Sequence, residues 1–120
     1  MHGLLLCDDL LFSSRVVGTA KALGLQVRTA RSPVELFALA TDASPSCVIV
    51  DLNTPGLAIE ALPARWTPRP FLIGYGSHVD AATLNRARDA GFDVVWPRSK
   101  FVEELERSIP IWFHKGEPGA

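Results

Sequence analysis

Short apolar runs recur along the chain, and each ends in a polar residue or a turn. Runs of this kind are typical of strands that are covered on both faces in a parallel sheet. The second run alternates in part, which predicts a less completely buried strand. The five predicted strands cover residues 4–7, 25–29, 47–50, 71–75 and 93–96.

Between these runs, apolar residues recur at helical spacing and carry start and stop signals. Ser32-Pro33-Val34-Glu35 combines a capping serine, a proline in the first turn and a glutamate at the capping-box position. Pro63 limits the third helix to a short one. The predicted helices cover residues 13–23, 33–41, 57–65, 80–90 and 99–109, with Ser13 or Ser14, Ser32, Asp80 and Ser99 as caps.

Five strands alternating with five helices predict an α/β fold in which helices cover both faces of a parallel sheet. We expect the flavodoxin-like (βα)5 doubly wound arrangement, with strand order 2-1-3-4-5. The length of 120 residues fits one domain. Its core should span residues 3–109. Residues 110–120 form a tail whose Ile111, Trp112 and Phe113 either fold back or remain exposed as a contact patch.

Carboxylates follow two of the predicted strands. Asp8 and Asp9 come directly after the first strand, and Asp51 follows the third. Ligands of such sheets bind at the carboxyl ends of the strands where the strand order reverses, which here is between these two strands. Three converging carboxylates repel one another unless a cation lies among them, and oxygen ligands suit Mg²⁺. The alternative is that each Asp only caps a loop or helix.

Asp8-Asp9 after one strand and Asp51-Leu52-Asn53-Thr54-Pro55-Gly56 after another resemble the acidic pair and phosphoacceptor loop of response regulator receiver domains. The element order and length match as well, so the resemblance covers residues 3–109. It implies that Asp51 is the phosphoacceptor. It also implies that Mg²⁺ is held by Asp8, Asp9, Asp51 and the backbone carbonyl of Asn53.

Two residues depart from the receiver pattern. The family has a Thr or Ser at the end of the fourth strand, and that position falls on Gly76, with Ser77 beside it. The family lysine after the fifth strand falls on Arg98, whose planar guanidinium forks its donors where an ammonium is a compact charge. The resemblance is therefore to an atypical receiver or pseudo-receiver in which the phosphate-driven switch is altered.

The composition limits the classes of partner and the cellular location that we expect. Twelve Lys and Arg against thirteen Asp and Glu give a net charge of −1, which favours neither nucleic acid nor an anionic membrane. Cys7 and Cys47 lie in apolar strands, so free thiols in a reducing cytoplasm are favoured over a disulfide. No apolar run reaches the roughly 20 residues of a membrane span, and Met1 to Leu6 lacks the basic region and cleavage site of a secretory signal, so we expect a cytosolic protein.

The leading hypothesis is a stand-alone signalling protein that is not an enzyme and acts by binding a protein. The resemblance implies a histidine kinase or a downstream target as the partner. It also implies a homodimer through the face of the last two helices and the fifth strand, next to Trp112. A small flavodoxin-like ligand-binding protein or enzyme and a purely structural interaction domain remain as alternatives. His78 lies beside the predicted site, and Gly74-x-Gly76 resembles part of a dinucleotide-binding motif. Neither feature is specific enough to predict a function.

Overall fold

The chain is described by a computed structural model that covers residues 2–39 and 44–117. All five predicted strands are present and pair in parallel, in the order β2-β1-β3-β4-β5. The predicted doubly wound sheet is therefore confirmed. The strands are β1 (Gly3–Leu6), β2 (Val27–Ala30), β3 (Cys47–Asp51), β4 (Phe71–Gly76) and β5 (Val94–Pro97).

In the described ranges, three α-helices and one 3₁₀ helix lie between these strands, and a fourth α-helix follows the last strand. The third predicted helix is the 3₁₀ helix, which contains Pro63. The predicted capping of two helices is confirmed, because the Ser32 hydroxyl accepts from the Glu35 N–H at 3.2 Å and the Asp80 carboxylate accepts from the Thr83 N–H at 3.2 Å. The helices are α1 (Leu10–Ala22), α2 (Pro33–Leu39), the 3₁₀ helix (Ile59–Ala64), α3 (Ala81–Ala90) and α4 (Arg98–Lys115). The predicted end of α2 at residue 41 lies outside the described residues.

The start of α1 differs from the prediction. The helix begins three residues earlier, at Leu10, because the Asp9 carboxylate caps it by accepting from the Phe12 N–H at 3.1 Å. Ser13, one of the two predicted caps, is buried inside the helix and donates its hydroxyl hydrogen to the Leu10 carbonyl. Asp9 therefore has a structural role in addition to any role in the site.

The last helix also differs from the prediction. It begins at Arg98 without a side-chain cap from Ser99, and it runs through Pro110 to Lys115. Trp112 and Phe113 are only 3% and 2% exposed. Burying two such side chains contributes about 1.5–3 kcal/mol each, which offsets the roughly 3 kcal/mol that an interior proline costs. The predicted end of the last helix before Pro110 is therefore wrong. Of the two alternatives for the residues that follow, Trp112 and Phe113 pack onto the core, so Trp112 is not available as an exposed dimer contact.

The sheet separates two cores of different composition. The core on one side, which we call the aliphatic face, is covered by α2, the 3₁₀ helix and α3 and is made mainly of Leu, Ile and Val. The core on the other side, the aromatic face, is covered by α1 and α4. Its rings are Phe12, Phe71, Tyr75, Trp96, Phe101, Trp112 and Phe113.

None of the helices in the described ranges is long and apolar enough to cross a membrane.

Candidate functional site

Asp51 is the last residue of β3, at the carboxyl edge of the sheet where the strand order reverses. It is half-buried, and its Oδ1 accepts a hydrogen bond from the Asn53 N–H at 3.0 Å. Burial raises the pKa of Asp51 above its usual range. The Asn53 N–H and the positive charge of Arg98 oppose this pKa shift, and the negative charge of Asp9 adds to it. Asp51 is thus a carboxylate whose charge is only partly compensated.

Asn53 fixes the loop after β3 to the loop after β4 through its side chain. Its Oδ1 accepts from the Ser77 N–H at 2.9 Å, and its Nδ2 donates to Asp80 Oδ2 at 3.0 Å. A Cβ at Gly76 would lie 3.1 Å from Asn53 Oδ1, a closer approach than most Cβ contacts. The family's Thr or Ser at this position would press on the Asn53 amide, so Gly76 makes room for the bridge.

A pocket of about 270 Å³ lies over these groups. The structure therefore brings together the predicted acceptor Asp51, the predicted switch positions and His78. The Ser77 hydroxyl accepts from the Val79 N–H of its own loop at 3.4 Å. The pocket is lined by Asp51, Asn53, Tyr75, Gly76, Ser77, His78, Arg98 and Ser99.

Arg98, the first residue of α4, extends its side chain over the sheet edge. Its Nη2 lies 3.4 Å from Asp9 Oδ2, which makes an ion pair with a long hydrogen bond. Its guanidinium carbon lies 4.2 Å from the centroid of the Phe12 ring and 6.0 Å from that of Tyr75. The guanidinium is thus held by one carboxylate and faces two rings of the aromatic core.

Asp8 lies apart from this cluster. Its Oδ1 pairs with Arg31 Nε at 3.4 Å, and both side chains are largely exposed. It lines a second pocket, of about 310 Å³, between α1 and the end of β2. The three carboxylates therefore do not form one cluster: Asp8 lines the second pocket and pairs with Arg31, whereas Asp9 pairs with Arg98 and its negative charge acts on Asp51.

The predicted magnesium site does not fit the residues as they are arranged. Among residues 2–39 and 44–117, no three or more His, Cys, Asp or Glu side chains are placed to hold a metal ion together. Asp8 is paired with Arg31, while Asp9 uses one oxygen to cap α1 and the other to pair with Arg98. The predicted ligand set of Asp8, Asp9, Asp51 and Asn53 is not assembled.

Two site residues were missed from the sequence, namely the Phe12 and Tyr75 rings beneath Arg98. Tyr75 is 1% exposed, and its hydroxyl is buried with no geometric hydrogen bond to any residue that the structure describes; burial and then the neighbouring Cys7 thiol raise its pKa. The apolar spacing of α1 and β4 marks both residues as core positions. Only the packing of α1 against α4 places them beside a cation.

The cysteines and the Gly74-x-Gly76 motif have packing roles. Cys7 and Cys47 are buried free thiols, and burial raises the pKa of Cys47 to about 12. A Cβ at Gly74 would lie 2.9 Å from the Leu52 side chain, so this glycine permits β4 to approach the loop after β3. Neither observation supports a disulfide or a dinucleotide site.

The overall structure is similar to solved response regulator receiver domains. The beryllofluoride-activated NtrC4 receiver domain dimer matches with a TM-score of 0.81 at 17% identity, covering 97% of this chain and 98% of that one. The signal receiver domain of a response regulator from Bermanella marisrubri matches with a TM-score of 0.80 at 21% identity, covering 92% and 96%. NtrX from Brucella abortus gives 0.80 at 17% identity over 97% of this chain.

These likenesses establish the fold. No protein-family profile and no curated protein sequence matches the chain. The chain spans only 28% of the length of the matched NtrX chain, in which a receiver-like unit is part of a longer protein. At identities of 17–21%, the chain has the fold of a receiver domain while its site differs from the family pattern at Gly76 and Arg98.

Proposed function

We propose that this chain is an atypical receiver module that transmits a signal by binding a protein partner and is not an enzyme. The observation that carries this proposal is the match to receiver domains along nearly the whole chain. The receiver resemblance suggests a histidine kinase or a downstream target as the partner, and a cytoplasmic location for this chain. A second copy of the chain, bound through the face of α3, β5 and α4, is the other candidate. The beryllofluoride-activated NtrC4 receiver is itself described as a dimer.

An exposed apolar rim supports protein binding. Four large apolar side chains are exposed in the loop and helix starts that follow strands, at the same edge of the sheet as Asp51. A contiguous exposed apolar surface with polar residues around it is typical of a protein contact. The apolar rim consists of Leu10 and Leu11 at the start of α1, Val34 at the start of α2, and Val79 after β4.

A pair of leucines at opposite ends of α1 tests this function. Leu11 is 85% exposed in the apolar rim, whereas Leu23 lies at the other end of the helix and is 39% exposed. In affinity capture from cell extract, we expect a partner to be retained by the native chain and by Leu23→Ser but lost with Leu11→Ser. Equal capture by both variants, or no specific capture by the native chain, would contradict the proposal.

Phosphoacceptance on Asp51 is a second candidate function. It is supported by the position of Asp51 at the strand tip, in a pocket that also contains Ser77, His78 and Arg98. A carboxylate oxygen of Asp51 would attack the phosphorus of an acyl phosphate or a phosphohistidine. A new O–P bond would form as the bond to the acetate or imidazole leaving group breaks. Of the solved relatives, the phytochrome response regulator RcpA has been described in phosphorylated form.

Intact-mass measurement after incubation with acetyl phosphate tests this second candidate. We expect the native chain to gain one phosphoryl group and Asp51→Asn to gain none. A gain that persists in Asp51→Asn would place the modification elsewhere. No gain in either protein would leave the chain as a phosphorylation-independent pseudo-receiver, with its protein-binding function intact.

A further inference from the structure

We propose that Arg98 is a built-in cation that takes the place of a divalent metal ion beside Asp9 and Asp51, so that the site keeps its charge balance without magnesium. This inference concerns the site alone. It is independent of which protein the chain binds.

The distribution of charges supports it. Asp8 is compensated separately by Arg31, which leaves Asp9 and Asp51 at the strand tips. Among the described residues that line the pocket of Asp51, Arg98 is the only Lys or Arg side chain. Its guanidinium pairs with Asp9, and its charge also favours the ionised form of Asp51. One permanent positive charge therefore serves both carboxylates.

The aromatic face holds this charge in position. The guanidinium carbon lies 4.2 Å from the Phe12 centroid, and Tyr75 lies beyond it at 6.0 Å. Phe12 is in turn packed against Tyr75 and Phe101, with ring centroids 5.1 and 5.9 Å away. Rings in such contact with a guanidinium attract it electrostatically and restrict its movement. Lys100, the next cation along α4, lies instead 5.1 Å from the Trp96 ring.

The arrangement disfavours magnesium for two reasons. Binding of Mg²⁺ to Asp9 would break the Asp9–Arg98 ion pair and bring a divalent charge next to a guanidinium that cannot lose its proton. Mg²⁺ also requires near-octahedral oxygen ligands and releases its water reluctantly. Asp8, which the receiver resemblance makes the other ligand, is paired with Arg31 outside the pocket.

Manganese titration monitored by NMR tests this proposal, because bound Mn²⁺ broadens the signals of nearby nuclei. The proteins to compare are the native chain, Arg98→Met and Arg107→Met. Arg107 is the matched control, because it is an exposed arginine of α4 that pairs with Glu104 at 3.5 Å, away from the pocket. Arg107→Met removes the same charge from the same helix.

We expect no site-specific broadening in the native chain or Arg107→Met at millimolar Mn²⁺. Arg98→Met should show broadening centred on Asp9, Asp51 and Asn53, with metal affinity at least about tenfold higher than that of the native chain. Site-specific broadening in the native chain would overturn the proposal, whether or not any variant folds. A folded Arg98→Met that binds Mn²⁺ no better than Arg107→Met would also overturn it.

Discussion

The two faces of the sheet are built from different side chains and differ in their relation to the site. The aliphatic face packs branched side chains under α2, the 3₁₀ helix and α3. The aromatic face stacks rings that lead from Trp96 and Trp112 through Phe101 and Tyr75 to Phe12, above which Arg98 lies. Both faces stabilise the fold by apolar burial, but the aromatic face also contacts the charged group of the site. A change in the packing of the aromatic face should therefore change the electrostatic environment of Asp51.

The largest expected effect is that of Phe101→Ala. Phe101 is fully buried between the Tyr75 and Trp112 rings, at 4.6 and 5.8 Å, so its truncation should cost about 3–5 kcal/mol in the free energy of unfolding. Leu72→Ala, at a fully buried position of the aliphatic face, should cost about 2–5 kcal/mol. Urea unfolding would measure both free energies.

The two variants should differ at the site. The NMR signals of Asp9, Asp51 and Arg98 should shift in Phe101→Ala and stay close to their native positions in Leu72→Ala. Equal shifts in the two variants would mean that the aromatic face has no special link to the site.

The next prediction concerns the end of the aromatic face, where the neighbouring residues Trp112 and Ile111 are buried and exposed, respectively. Trp112→Ala should lower the free energy of unfolding by about 3 kcal/mol or more, because the ring is buried against Phe101 and Trp96. Ile111 is 52% exposed, so Ile111→Ala should change it by less than about 0.5 kcal/mol. Thermal or urea unfolding measures both, and similar small effects would mean that α4 does not pack beyond Pro110.

The C-terminal end of α4 could not be predicted from local sequence patterns. The capping box of α2 and the cap of α3 are local signals, so they were predictable. A proline also ends helices by a local rule, but here the burial of Trp112 and Phe113 decides the outcome, and that burial depends on the distant strands of the sheet. Only the folded chain shows that the core continues beyond the proline.

The site was predictable to a similar extent. Its position, Asp51 and the proximity of Gly76, Ser77 and Arg98 followed from the order of strands and the receiver resemblance. The separation of Asp8 from Asp9 did not, because it depends on which arginine each carboxylate meets. Arg31 comes from the end of β2 and Arg98 from the start of α4. No local pattern around Asp8-Asp9 encodes that choice.

The smallest effects concern two carboxylates, Asp51 and Glu60. Their contributions to the stability of the fold should depend on pH in opposite ways. Burial raises the pKa of Asp51, so its charge opposes folding at neutral pH. Asp51→Asn should therefore raise the urea midpoint at pH 7, and the gain should vanish below about pH 4, where Asp51 is protonated in both states. A lower midpoint at pH 7 would contradict the pKa direction.

Glu60 of the 3₁₀ helix is the counterpart. Arg86 binds it through two hydrogen bonds of 2.7 and 2.8 Å and lowers its pKa to about 2. Its charge supports folding above the ordinary Glu pKa of about 4.3, and that support is lost as the pH falls toward 2. Glu60→Gln should slightly lower the urea midpoint at pH 7 and have no effect near pH 2. A raised midpoint at pH 7 would contradict this.

The most direct test of the account is the carboxyl ¹³C titration of Asp51 in the native chain and in Arg98→Met, with Arg107→Met as the control. If Arg98 supplies the positive charge of the site, Asp51 titrates above the ordinary Asp range in the native chain and in the control, and higher still in Arg98→Met. Identical titration curves in all three proteins would contradict the account, because Asp51 would then not sense the charge of Arg98.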